Sequence, residues 1–167
     1  MSHETFNRDE YVRQHGSEGP LRLLWRKILG RLQRCLPFAS MRRCAAKRMG
    51  VNMPVQSGDK SPWIGVEVYL DDTFPELLTV EGNVILGVRC MLLCHDDAKR
   101  TVAAIHIKRG AYIGAGAIVL PGVTVGESSI VGAGAVVTKD IPDGEAWAGV
   151  PARKVESGGS SGDRIGA

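Results

Sequence analysis

His95, in the run LLCHDD, is the side chain of this sequence best suited to proton chemistry. An imidazole with an ordinary pKa of about 6.5 can take a proton from an attacking hydroxyl near neutral pH. Asp96 and Asp97 follow it, and a carboxylate can orient an imidazole, although a solvated loop pair is the simpler account. Cys90 and Cys94 precede it, and cysteines beside a histidine suggest a metal site. A core cysteine explains Cys90 more simply, because it falls in a column of small inward residues. His106 precedes the inward Ile107 and reads as surface or cleft lining, while His3 and His15 fall in the polar N-terminus. No Walker or GxGxxG motif occurs in a strand–turn–helix context, which argues against nucleotide hydrolysis.

The element that must position His95 is a repeat. From residue 107 the chain reads IKRGAY, IGAGAI, VLPGVT, VGESSI, VGAGAV, VTKDIP, six consecutive hexads that begin with Ile or Val. Strand side chains alternate between faces, so positions one and five of successive hexads share a face. The inward set is therefore Ile107, Ile113, Val119, Val125, Val131 and Val137, with a smaller column of Ala111, Ala117, Val123, Ser129, Ala135 and Ile141. The fourth column, Gly110, Gly116, Gly122, Ser128, Gly134 and Asp140, marks the corners, where glycine supplies positive φ at no steric cost. Short strands with a corner every six residues wind into a stacked coil, the hexapeptide parallel β-helix repeat. The register extends upstream through Ile64, Leu70, Val80, Leu86 and Leu92, with Val68, Phe74, Val84 and Cys90 in the fifth column. Insertions fall near DDTFPELL and HDDAKRTVA, and insertions in a solenoid become loops on one face. Leu92 heads its hexad, so His95 occupies a corner and opens the loop 95–103, outside both core columns.

Four segments follow. Residues 1–20 are polar and without periodicity and read as a disordered N-terminus. Residues 21–50 form a basic helical segment, with helices over 21–34 and 40–49 and Gly50 as a C-cap. Residues 51–155 form the coil, and 156–167 a flexible tail. Residues 21–50 contain nine Lys or Arg and no acid, so the rest of the chain, against a total of +3, carries −6. Leu21, Leu24, Trp25, Ile28, Leu29 and Leu32 recur at helical spacing. Two roles suit them: capping the open end of the solenoid through Leu24, Ile28 and Leu32, which is preferred, or peripheral membrane contact through residues 21–34. No nucleic-acid motif accompanies the charge. The chain lacks a signal-peptide layout, a 20-residue apolar run and a paired cysteine framework, so a cytoplasmic location, peripheral to the inner membrane surface if the helix binds there, is the expectation.

The stretch IGAGAIVLPGVTVGESSIVGAGAVVTKDIPDGEAWAGVPARKV (113–155) resembles the C-terminal half of hexapeptide-repeat acyltransferases. It is similar to those acting on maltose, galactosides and bacterial surface polysaccharides. Residues 64–97 resemble the catalytic half of the same family. The resemblance implies an all-β solenoid, a left-handed parallel β-helix with a short N-terminal helical segment. It also implies a homotrimer with active sites between subunits, and acetyl-CoA as co-substrate. It casts His95 as general base and Asp71 and Asp72 as contacts to the acceptor sugar, although Asp is also common where a turn precedes an insertion. It places Lys139, Arg153 and Lys154 near the phosphates of coenzyme A. Gly114, Gly132 and Ala133 would let backbone approach its pantetheine arm. Trp147 is read as an apolar cap over the last coil. TFPELL departs from the tyrosine-containing sequence of the sugar acetyltransferases nearest in type.

The function expected is acetyl-CoA-dependent O-acetylation of a sugar or polysaccharide intermediate, without a metal. The alternatives are N-acetylation of an amino sugar, a zinc enzyme resembling the γ-class carbonic anhydrases, which would need three converging histidines, and a non-catalytic scaffold.

Overall fold

The computed structural model describes residues 5–15 and 19–155. Its main body is a three-sided coil of short parallel strands. One face stacks β2 (Trp63–Ile64), β5 (Ile85–Leu86), β10 (Tyr112–Ile113), β13 (Ile130–Val131) and β15 (Ala146–Ala148). The second stacks β3 (Tyr69–Leu70), β6 (Met91–Leu92), β11 (Ile118–Val119) and β14 (Val136–Val137). The third stacks β4 (Leu78–Val80), β9 (Ile105–Ile107) and β12 (Thr124–Val125). A final strand, β16 (Arg153–Lys154), folds back antiparallel on β15.

The expected inward ladder is the core. Ile64, Leu86, Ile113 and Val131 are stacked in register on one face, and Leu70, Leu92, Val119 and Val137 on the next. All are buried, as is the small column from Ala111 to Ile141. The corner column turns as anticipated: Gly110, Gly116, Gly122 and Gly134 have φ between 66° and 83°. Ser128 takes φ 55° in the same column, and upstream Glu67, Asn83 and Arg89 take φ 57–60°. The corner geometry is thus set by the coil, and glycine is its least strained occupant.

The N-terminal region differs from expectation at two points. First, residues 5–15 are ordered. Strand β1 (Thr5–Asn7) pairs antiparallel with β8 (Thr101–Ala103), which pairs with β7 (His95–Asp96), and helix α1 (Arg8–His15) follows. Tyr11 is buried, and Arg100 Nη2 lies 2.6 Å from Asp9 Oδ2. A segment poor in apolar residues is held by a sheet edge and ion pairs, which hydropathy does not register. Residues 1–4 and 16–18 of that segment, and the tail 156–167, lie outside the described residues.

Second, α2 (Pro20–Cys35) docks by the opposite face from the one expected. Arg26, Gly30 and Gln33 are buried, whereas Leu24, Ile28 and Leu32 are exposed. Arg26 pairs with Glu76, and Lys27 Nζ lies 3.2 Å from Asp72 Oδ1. Apolar capping of the first coil falls instead to α3 (Ala39–Met49), through Ala45, Ala46 and Met49. Gly50, φ 118°, ends α3 as its C-cap. Between the helices and the coil, buried Arg42 donates from Nε to Ile64 O at 2.8 Å and from Nη1 to Leu36 O at 2.5 Å.

Two glycine substitutions should separate corner strain from coil stacking. Gly116 has open space around a missing Cβ but φ 66°, so Gly116→Ala should cost about 1–2 kcal/mol. A Cβ on Gly114 would sit 2.5 Å from Ala133 N in the next coil, so Gly114→Ala should cost more, about 3 kcal/mol. Urea unfolding midpoints of the two variants check the order.

Candidate active site

Coil stacking brings Asp71 beneath His95. Leu70 is in register with Leu92, so the residue after Leu70 lies against the chain that leaves β6. Asp71 N donates to Leu92 O at 3.1 Å. The fully buried Asp71 carboxylate then serves two strands. Its Oδ1 accepts from Thr73 N and Phe74 N, at 2.9 and 3.0 Å, which shapes the inserted turn. Its Oδ2 accepts from Cys94 N at 2.8 Å and lies 2.5 Å from His95 Nδ1. Three backbone N–H donors already converge on this carboxylate, which as an anion only accepts. His95 Nδ1 is therefore the donor, and the lone pair of the neutral ring is on Nε2.

The His95 side chain is 18% exposed. Phe74 meets its ring edge-on, with centroids 5.9 Å apart, and Tyr11 meets Phe74 in the same way at 5.7 Å. Asp97 Oδ2 stands 3.8 Å from Nε2, beyond hydrogen-bond reach, while its other oxygen lies 2.5 Å from Arg8 Nη1. Asp96 accepts the Lys99 amide at 3.0 Å, which holds its carboxyl below the usual range. Neither loop aspartate orients the imidazole; Asp71, 24 residues earlier, occupies that position. This corrects the expectation that Asp71 faces an acceptor sugar, since both its oxygens are turned inward. Asp72 is also mostly buried and is engaged with Lys27 of α2.

The expected coenzyme-contact residues divide between two edges of the coil. Lys139 stands on the same edge as His95, two strands further along, about 10 Å at ordinary strand spacing. Its Nζ lies 5.2 Å from the centre of the Trp147 ring. Trp147 is buried and donates from Nε1 to Glu145, whose other oxygen lies 2.6 Å from Lys154 Nζ. Arg153 is exposed beside them. Gly114, Gly132 and Ala133 follow β10 and β13 and so line the preceding edge of the coil. Stacking accounts for both glycines: a Cβ on Gly114 would strike Ala133 N, and one on Gly132 would lie 2.8 Å from the Ala148 Cβ. One chain therefore does not bring this edge to His95.

His106 points outward as expected, with Nε2 2.5 Å from Glu81 Oε1, and borders a groove of about 500 Å³ on the third face. Cys90 and Cys94 are both in the core, and burial pushes the Cys90 thiol up to about 12 and Cys94 higher still. Among the described residues, no group of three or more His, Cys, Asp or Glu is arranged to hold a metal.

The burial of Cys90 gives a signed pH dependence. Its thiol stays protonated in the folded protein above its ordinary value near 9, while the unfolded chain releases the proton. Stability from this group is therefore undiminished below about pH 9 and falls as pH rises towards 12, by about 1.4 kcal/mol per unit. Cys90→Ala, which matches Ala111 and Ala117 in the same column, should flatten the urea midpoint between pH 9 and 11 by about that slope.

The bacterial transferase hexapeptide (six repeats) family matches residues 104–139. Protein CapG of Staphylococcus aureus is 51% identical over 113 residues, 62% of this chain and 66% of that protein. The galactoside O-acetyltransferase of Escherichia coli K12 is 47% identical over 86 residues, 50% of this chain and 42% of that enzyme. The chain thus spans under half the length of that enzyme and about two thirds of CapG. Among solved structures, a galactoside acetyltransferase in complex with coenzyme A superposes with a TM-score of 0.60 at 24% identity, over 90% of both chains. At that identity the likeness speaks for the fold. With the repeat, the three-sided coil and these relatives in agreement, the chain carries the transferase hexapeptide repeat and is similar to the hexapeptide-repeat acyltransferases.

Proposed function

We propose that the protein transfers an acetyl group from acetyl-CoA to a hydroxyl of a sugar or saccharide, with His95 as general base and Asp71 as its positioning residue. The observation that carries this reading is the 2.5 Å contact between Asp71 Oδ2 and His95 Nδ1. It fixes the ring tautomer and leaves Nε2 as the proton acceptor. The hydroxyl oxygen attacks the thioester carbonyl carbon as its proton passes to Nε2. The tetrahedral intermediate collapses with loss of the thiolate, which recovers that proton from the imidazolium. Asp71, already holding three N–H donors, stabilises the transient positive ring without taking its proton.

The acceptor class rests on the similarity to galactoside O-acetyltransferase. Coenzyme A supplies the activated acyl group; Lys139 and Arg153, with Lys154 beside them, offer cations to its phosphates. In this reading the coil is left-handed and three copies assemble, so that the Gly114–Gly132–Ala133 edge of one chain faces the His95 edge of another. The division of these residues between two edges of a single chain supports that assembly.

A thiol-release assay with acetyl-CoA and a panel of sugars tests the reading. His95→Ala should lower kcat by about 10²–10⁴-fold, the range for a general base. Asp71→Asn should lower kcat by at least about tenfold with little change in KM for acetyl-CoA, because the substituted amide can no longer orient the ring by acceptance alone. Acceptor-dependent thiol release by His95→Ala at the rate of the unsubstituted enzyme rules out its role as base. Release with amino sugars only, acetylated at nitrogen, overturns the hydroxyl assignment.

A further inference from the structure

Helix α2 leaves the body of the protein with its apolar side outward. Leu21, Leu24, Trp25, Ile28 and Leu32 form a stripe at i, i+3, i+4, i+7 and i+11, and they are 70, 56, 58, 44 and 49% exposed. The stripe runs nearly the length of a 16-residue helix, about 24 Å. On the helical wheel Arg22 and Arg31 flank it, one on either side, about a quarter turn away. Both are exposed. Phe38 and Met41, also exposed, continue the apolar surface into α3, and Lys47 and Arg48 add further exposed cations near its end. No acidic residue occurs anywhere from 20 to 50.

Nothing in the rest of this chain suits the stripe. The residues outside the described set, 1–4, 16–18 and 156–167, contain Met1 and Ile165 as their only large apolar side chains. Two copies of the face set against each other would bring Arg31 against cations of the partner, a like-charge contact. An apolar stripe bordered on both sides by arginines matches a surface that is apolar within and anionic at its rim. The guanidinium groups reach phosphates while Trp25 and Ile28 enter the acyl boundary. The helix can take that position without unfolding, because Arg26, Lys27 and Gly30 already hold its other side to the coil.

We propose that the outer face of α2 docks the protein on an anionic lipid bilayer, with Leu21, Leu24, Trp25, Ile28 and Leu32 in the interface and Arg22 and Arg31 at the headgroups. The proposal is independent of the acetyl-transfer reading, and its test does not use activity.

Full-length protein is sedimented with vesicles of phosphatidylglycerol and phosphatidylcholine, and with phosphatidylcholine alone. Binding to the anionic vesicles, at least tenfold tighter than to the neutral ones and weakened by salt, is expected. Trp25 emission should shift to the blue on addition of anionic vesicles, and Trp25→Phe should bind yet lose most of that shift. Trp25→Ser/Ile28→Ser, with both positions exposed, should keep its unfolding midpoint and lose at least tenfold in vesicle affinity. Failure of the unsubstituted protein to sediment with anionic vesicles overturns the proposal. So does equal binding by the double variant, or a drop in its solution mass, which would make the stripe a contact between copies of the chain.

Discussion

The structure depends on one constraint: every coil must return its chain to the same inward column after each short strand. Aliphatic residues at the first position of each hexad stack directly over one another, Leu70 under Leu92 under Val119 under Val137. Backbone hydrogen bonds between coils keep that register, and a slip of one residue would turn the ladder outward. The corners must then bend sharply enough to close the coil. That is why φ is positive at Gly110, Gly116 and Gly134, and equally at Glu67, Arg89 and Ser128, where the side chain is tolerated at some strain. Close stacking also removes side chains: Gly65, Gly87, Gly114 and Gly126 each have the backbone of the next coil within 3 Å of where a Cβ would stand.

The same register builds the site. A carboxylate placed one residue after the ladder position of one coil lies under the backbone that leaves the ladder position of the next. Asp71 uses this placement to accept Cys94 N and His95 Nδ1 with one oxygen, and to set the turn before Phe74 with the other. A single buried anion thus joins two insertions, the turn after β3 and the hairpin of β7 and β8. Its full set of N–H donors compensates the desolvation that burial imposes. The N-terminal strand completes the enclosure, since β1 pairs with β8 and α1 brings Tyr11 against Phe74 beside the imidazole. The site is assembled from segments about 85 residues apart in the chain, yet its central contact follows from a single stacking step.

Much of this was legible in the residues. The inward ladder, the corner column and the coil follow from a period of six, because burial and alternation leave a direct mark on sequence; where the hexad count predicts a corner at His95 and a loop over 95–103, the chain forms the hairpin of β7 and β8. Adjacency in the chain offers Asp96 and Asp97 as partners of His95, with a solvated pair the simpler account; neither orients the ring, and adjacency between coils selects Asp71. The signal was present in the Leu70–Leu92 register, which sets Asp71 beneath the run Leu93–His95. Glycines at 114 and 132 suit ligand approach and coil stacking alike; the close approach of the next coil accounts for them by stacking, and composition does not separate the two causes. The pairing of β1 with β8 has no periodic signature, since a three-residue edge strand is held by backbone groups that every residue carries.

The docking of α2 shows why an amphipathic pattern does not fix which face is inward. A bottom coil offers two kinds of surface: apolar ladder residues, and the carbonyls and carboxylates of its corners. Helix α3 takes the apolar part with Ala45, Ala46 and Met49, where small residues let the helix approach closely. What remains for α2 is the polar edge, with Asp72 and Glu76 beside Lys27 and Arg26. Gly30 permits that approach, its missing Cβ lying 3.1 Å from the Asp72 Cβ. Arg42 locks the arrangement by donating to Ile64 O in the coil and to Leu36 O and Pro37 O at the turn between the helices. Charge complementarity with the coil therefore decides the orientation, and the apolar stripe is turned outward as a consequence of how the basic residues are held. Arg26, which holds the helix, and Arg22 and Arg31, which border the stripe, lie in one acid-free segment, and burial of the first and exposure of the others follow from the pitch of a single helix.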